Sequence, residues 1–394
     1  MGAIAVRDTA ERRARLGRRH HLAPSSSAAS PLDVARSLVA LHATDPASVF
    51  LSAAARLRQA AVKAIEDALY EERVLVRMLG MRRTMFVVPA DFAPVVQSAC
   101  THAIAQRLRR TYQQMLQEAG VADHVPSWLA RIEDATVAAL QARGQATAQE
   151  LAQDVPELKT QVLLAAGKSY AATQAISTRV LMQLSADGRI MRGRPRGTWI
   201  SSQYRWATVD AWLPGGLPKL ATAEAQVALV RSWLQSFGPG TLLDLKWWTG
   251  LTLGEIKRAV AHLQVVEVDL GDSTGLVLAD DVEPTPTPEP WVSLLPGLDA
   301  TPMGYAERSW FLGSHGPTLF DRSGNIGPSV WCDGRIVGGW AQRTSGQIAY
   351  RLLEDVGHEV EQRVESAAHA LSAWLGPIRV TPRFRTPLER ELSD

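Results

Sequence analysis

Apolar positions along this chain fall repeatedly into one order: two runs at helical spacing, split by a tight turn and followed by two short runs of β-branched residues. The clearest copy spans residues 237–282. Gly238-Pro239-Gly240 breaks the chain, and Thr241 with Asp244 forms a helix-start signature, a hydroxyl cap with an acidic side chain three residues on. Thr252 and Glu255 repeat it, ahead of Leu253, Ile256, Val260 and Leu263 at three- and four-residue steps. Residues 265–270 and 275–278 then alternate as strands across Gly271-Asp-Ser-Thr274. Helix, turn, helix, hairpin predicts a winged helix-turn-helix, whose usual work is to lay the second helix in a DNA groove while the hairpin touches the backbone.

Two upstream stretches carry the same order. In the first, Val34, Leu38 and Leu41 predict a helix ending near His42-Ala43-Thr44, and Asp45-Pro46 opens the next. Val62, Ile65 and Leu69 mark a further helix, and residues 74–79 and 84–88 predict a hairpin around Gly80-Met-Arg-Arg83. In the second, residues 128–140 predict a helix, Thr147 and Glu150 another capping box, 155–168 an irregular stretch, and 176–186 a recognition helix. Its hairpin follows over 190–206. The proline-rich run Glu283–Pro290 reads as an extended linker. Beyond it, 291–295, 329–332, 335–340, 348–353 and 378–381 predict strands, with a helix over 356–375. The expected fold class is therefore α+β: a basic arm and linker (1–30), winged helices over 31–125, 126–212 and 220–283, and a small, mainly β C-terminal domain (291–394).

Composition narrows the function. With 394 residues and 46% hydrophobic content, several domains can bury cores. Two cysteines argue against a disulfide framework and fit a reducing cytoplasm. No apolar run suits a membrane span, and the arginine-rich start lacks the apolar segment of a signal peptide. The net charge of +2 conceals an asymmetry: residues 1–206 hold 27 of the 42 Lys+Arg but only 17 of the 40 Asp+Glu. An anionic partner should prefer that half. Arginines between 12 and 19 either touch phosphates or form a solvated face before a loose linker, and His20-His21 reads as an exposed pair. The scattered histidines match no zinc spacing, and no phosphate-binding or dinucleotide fingerprint appears, so neither metal nor cofactor is expected. The tryptophans read as core, and Asp321–Asn325 as an ordinary loop rather than an anion-binding turn.

Two features carry candidate chemistry. The second hairpin holds Arg189, Arg192, Arg194 and Arg196, with Gln203 and Arg205 on the return strand. Arginine, glutamine and aromatic residues there suit phosphate contact, minor-groove insertion or stacking; the bland alternative is solubility. Arg82 and Arg83 add charge at the first hairpin's turn, while the third hairpin, with Glu267, Asp269 and Asp272, suits scaffold better than DNA. The second feature is the polar turn Leu41-His-Ala-Thr-Asp-Pro46.

That turn (within Leu38–Pro46), Met81–Pro89, the basic hairpin and Asp333–Trp340 together resemble the winged-helix DNA glycosylases of the AlkZ and YcaQ type, over nearly the whole chain. The resemblance implies three tandem winged helices with a C-terminal β domain. It also implies excision of bulky alkylated purines from double-stranded DNA, in some members unhooking crosslinks or protecting a producer from its own genotoxin. His42, Ala43 and Thr44 stand where the family carries glutamine, an apolar residue, and glutamine or aspartate. A purine alkylated at N7 or N3 is already cationic, so its departure needs no proton; the enzyme has only to place a water and stabilise an oxocarbenium-like sugar. Neutral His42 is expected to orient or deprotonate that water, with the Thr44 hydroxyl as second anchor. Asp45 either caps its helix or adds negative charge, and the alternative for His42 is a satisfied interior histidine. The expected protein is a monomeric, nucleoid-associated, monofunctional glycosylase; the alternative is a non-catalytic DNA-binding protein on the same scaffold.

Overall fold

A computed structural model describes residues 5–6, 8–164 and 172–394. Helices and small sheets alternate along it. All three helix-start boxes form as the sequence predicts: the Thr147, Thr241 and Thr252 hydroxyls accept from the backbone amides of Glu150, Asp244 and Glu255, whose carboxylates return the contact. A fourth box, Ser30 with Asp33, opens the Pro31–Ser37 helix. Each is a contact over three residues, so local sequence is enough to specify it.

Four sheets of three or four strands result. Thr84–Pro89 pairs with both Leu75–Gly80 and the two-residue strand Leu41–His42. Tyr204–Thr208 pairs with Ile190–Pro195 and Ala146–Thr147. Val265–Asp269 joins Thr274–Leu278 and runs parallel to Ala5–Val6. Val292–Leu295, Ser329–Cys332, Arg335–Gln342 and Ile348–Leu352 form an antiparallel four-stranded sheet, covered by the His358–Leu375 helix. The core divides unevenly. Segment 112–206 encloses its own cluster around Leu116, Leu129, Ile132, Val180 and Leu184, whereas the rest of the chain shares one continuous core.

Several expectations fail for long-range reasons. The first helix stops at Ser37, not near His42, because Val39 turns into the left-handed region (φ 63°) and the chain becomes a strand edge. The stretch from 155 is not irregular: Pro156–Lys159 makes a 3-10 turn and Gln161–Leu164 pairs with Ala172–Ala175, while residues 165–171 lie outside the described residues. Residues 378–381 form no strand. The Val380 amide donates instead to the Gln342 side chain at 2.8 Å, and the chain ends in the Pro387–Ser393 helix.

The N-terminal arm is neither a phosphate brush nor a loose solvated helix. Thr9–Arg19 buries Arg12 and Arg15. Arg15 and Arg19 pair with Asp281, Arg12 lies 3.9 Å over the Trp310 ring, and Arg18 donates to the Pro286 carbonyl, which fixes the proline-rich linker. His20 is fully buried rather than exposed. Its Nε2 donates to the Ser236 carbonyl (3.0 Å), leaving Nδ1 to accept from the Thr301 hydroxyl (2.8 Å). Trp248, Trp310, Trp331 and Trp340 are core, and the Asp321 carboxylate only closes its own loop on the Ser323 and Asn325 amides.

Candidate nucleic-acid interface

A cleft of about 490 Å³ opens between the Ala43–Pro46 turn and the second hairpin. Its walls carry Thr44, Arg192, Arg196, Gln203, Tyr204, Trp206 and Arg383, with Thr147, Gln149, Thr178 and Ser202 as further polar groups and no carboxylate. The Pro46–Ala54 helix fixes one wall. Asp45 caps it, one oxygen accepting from the Ala47 amide and the other from the Arg383 amide, both at 3.0 Å. Burial raises the Asp45 carboxyl against those two hydrogen bonds. Asp45 thus ties the C-terminal segment to the turn, and the Arg383 guanidinium reaches the Thr44 carbonyl at 3.4 Å.

The opposite wall is aromatic and cationic. The Arg192 guanidinium lies 5.3 Å over the Tyr204 ring and 5.2 Å over Trp206, and Arg77 lies 4.9 Å over Tyr204 from behind. Arg77 is buried in its strand and donates to the Ala43 carbonyl at 2.9 Å. Burial, and then the charge of Arg77, pull the Arg192 pKa down to about 10. Arg192 still stays charged at neutral pH.

The structure brings only some of the expected residues together. Thr44, Arg192, Arg196 and Gln203 share the cleft, and Arg205 is exposed on the same hairpin. Arg194 turns away, held by Glu66 (3.0 Å) and Glu71 (2.9 Å) and stacked on Tyr70. Arg82 and Arg83 line a separate cleft of about 520 Å³ with Arg107 and Arg179. Both adopt left-handed φ (52° and 62°), an uncommon pair for non-glycine residues. Their turn packs so tightly on Gly250 that a Cβ there would sit 3.1 Å from Arg82 Cγ, while the Arg82 guanidinium covers Trp247 at 3.8 Å.

His42 does not line the first cleft. It pairs in register with Phe86, and strand alternation sends its ring away from the Ala43 side, against the Phe86 ring 5.5 Å away. Its Nδ1 is buried without a hydrogen-bond partner. Burial, and then the charge of Arg82, lower its pKa to about 3, so the imidazole is neutral across the physiological range.

Sequence reasoning missed Arg77 and Arg383, whereas Tyr204 is among the hairpin aromatics it singled out. A lone arginine inside the apolar strand 74–79 was a usable signal for the first. Nothing local marks the tail as part of the site.

Burial also lowers the His20 pKa to about 3, with the Arg56 charge second. Both histidines stay neutral in the fold, but the unfolded chain protonates them near the ordinary value of 6.5. Stability present above 6.5 is therefore lost as pH falls toward 3. Between pH 7 and 5 we expect roughly 2 kcal/mol of destabilisation per histidine. In urea unfolding, His20→Gln with His42→Gln should flatten this dependence; an unaltered dependence in that variant would contradict it.

A basic, carboxylate-free cleft on a fold of small sheets and capped helices defines a protein built to meet a polyanion. The chain belongs to the AlkZ-like DNA glycosylase family, whose model matches residues 35–374. That makes DNA its substrate class and DNA repair its setting. Its fold is similar to that of the Streptomyces sahachiroi DNA glycosylase AlkZ, with TM-score 0.73 and 19% identity, covering 96% of this chain and 99% of that one. No curated protein matches the sequence. Among the described residues no cluster of His, Cys, Asp or Glu could hold a metal ion, and no helix is long and apolar enough to cross a membrane.

Proposed function

We propose that this protein is a monofunctional, monomeric glycosylase that releases purines made cationic by alkylation at N7 or N3, for repair or for resistance to a genotoxin. Helix–hairpin units over 31–125, 126–212 and 220–283 would serve as three winged helices, with 291–394 as the β-rich support. The observation that carries this reading is the position of Thr44: the turn that stands where the family carries its catalytic motif opens into a carboxylate-free cleft whose walls combine unpaired arginines with aromatic rings.

The chemistry suits that cleft. A cationic purine needs no general acid, and no Asp or Glu lines the walls to supply one. No lysine lines them either, so the cleft offers no side-chain amine for a covalent sugar intermediate. Thr44 can hold a water by its hydroxyl. His42, neutral and on the far side of the strand, acts only by packing beneath the turn that presents Thr44. Asp45 works as the cap that fixes both.

Single-turnover release of 7-methylguanine and of a bulkier N7 adduct from duplex DNA tests the reading, with borohydride trapping as a second arm. Free base without a trapped adduct is expected. One observation favours the non-catalytic alternative: the His42 ring lies outside the cleft. Tight duplex binding with neither base released would establish that alternative.

DNA affinity itself should be salt-dependent and nearly indifferent to sequence. Arg192→Ala with Arg196→Ala should weaken binding and flatten the salt slope by about two, one for each phosphate contact removed. Arg194→Ala should change little, because that side chain is tied to Glu66 and Glu71. Equal losses from both substitutions in filter or anisotropy titrations would contradict the geometry.

A further inference from the structure

Buried guanidinium groups in this protein are met in different ways. Arg56 faces Asp299 and Arg15 faces Asp281, while Arg12 stacks on the Trp310 ring. The cleft gathers arginines that face no carboxylate. Among the described residues neither Arg77, Arg192 nor Arg383 makes an ion pair, and Arg192 Nε, Arg77 Nη2 and the Tyr204 hydroxyl are buried without hydrogen-bond partners. Asp45 lies nearby, but both its oxygens are engaged by backbone amides. Arg77 and Arg192 stack on one tyrosine, and exposed Arg383 in the same cleft adds its charge to theirs, so an anion placed there would relieve the repulsion.

The geometry points to a clamp for one phosphate group: we propose that Arg192 and Arg383 grip a single phosphodiester of the DNA strand that carries the reacting nucleotide. Arg77 does not touch the cleft. It is a positioning residue, set behind Tyr204, that adds charge and holds the turn by the Ala43 carbonyl. Arg383 holds the same turn by the Thr44 carbonyl. A phosphate on this clamp therefore lies beside Thr44, and the clamp sets which nucleotide faces that residue. The fork of a guanidinium matches two phosphate oxygens, which a hydrated lysine would not do as specifically.

The electrostatics assign the occupant. A cationic purine alone would be repelled by three unpaired guanidiniums; a phosphate cancels that repulsion and lets the cation follow it in. The proposal rests on the DNA reading above, and its test separates the two.

The probe is a duplex with a central tetrahydrofuran abasic site, in which single phosphates are replaced one at a time by neutral methylphosphonate. Wild type should lose about tenfold in affinity at one phosphate flanking that site and under about twofold at phosphates five nucleotides away. Arg192→Gln and Arg383→Gln should each show part of the loss already on the unmodified duplex, with a smaller further loss from the methylphosphonate than in wild type. Arg192→Lys should recover part of it, and Arg194→Gln should behave as wild type. Equal loss at every phosphate, or an undiminished methylphosphonate effect in folded Arg192→Gln, would overturn the clamp while leaving DNA binding intact. Competition by millimolar inorganic phosphate, beyond that of chloride at matched ionic strength, would assign the site to a free anion and overturn the strand-borne assignment. A wild type that binds no duplex would overturn the DNA reading itself, and this proposal with it.

Discussion

Arg56→Ala is expected to destabilise the protein by about 3–5 kcal/mol, the largest loss from any single substitution considered. Arg56 and Asp299 are both fully buried, and the two guanidinium ends reach the two carboxylate oxygens at 2.9 and 2.7 Å. The remaining donors are used as well: Nε on the His20 carbonyl (3.0 Å), Nη1 on Ser52 (2.7 Å), Nη2 on the Thr301 hydroxyl (2.9 Å). Asp299 takes the Ser52 hydroxyl at 2.6 Å and the Thr301 amide at 2.9 Å. Burial alone would raise the Asp299 carboxyl; the Arg56 charge and these hydrogen bonds outweigh it and hold the group below its ordinary value. Removing Arg56 leaves that charge buried and unpaired. Arg56→Met with Asp299→Leu should cost much less, because an apolar pair has nothing to desolvate. Urea unfolding of both variants decides it: a loss under about 1 kcal/mol in Arg56→Ala would show that water already reaches the pair.

The same network shows which parts of the fold the sequence could not reveal. A capping box closes over three residues, so Thr147, Thr241 and Thr252 could be read directly, as could most strands of the C-terminal sheet. Arg56 and Asp299 stand 243 positions apart, and Arg194 and Glu71 stand 123 apart. No local period encodes such pairs. The charge asymmetry was legible, but its meaning was not: Arg15 and Arg19 answer an acidic loop at Asp281 rather than an external phosphate. The polar turn was legible as a place. Which way its side chains face depends on the pairing of His42 with Phe86, which only the assembled sheet fixes.

That orientation reverses the ranking of substitutions in the turn. From sequence, His42 is the leading residue and Thr44 the helper. In the fold Thr44 lines the cleft, and His42 lies behind the strand against Phe86. Thr44→Ala is therefore expected to slow single-turnover release of 7-methylguanine by about 10²-fold with duplex affinity nearly unchanged, since the arginines supply the affinity. His42→Ala should slow release by roughly tenfold and lower the melting temperature, because it empties a packed site. Asp45→Asn should be mild, as asparagine caps nearly as well as aspartate. The pH profile separates the roles further. With its pKa near 3, His42 is neutral from pH 5 to 8, and protonation would remove its help only near pH 3. Release should therefore be flat across that range rather than falling below pH 6.5. An acid limb centred near 6.5 that vanishes in His42→Ala would mean the imidazole is solvated and in contact with the sugar once DNA is bound. In that case His42→Ala should also be the more damaging substitution, and the Arg82–Arg83 turn, whose charge helps to lower the His42 pKa, is the element that would have to move to let it through.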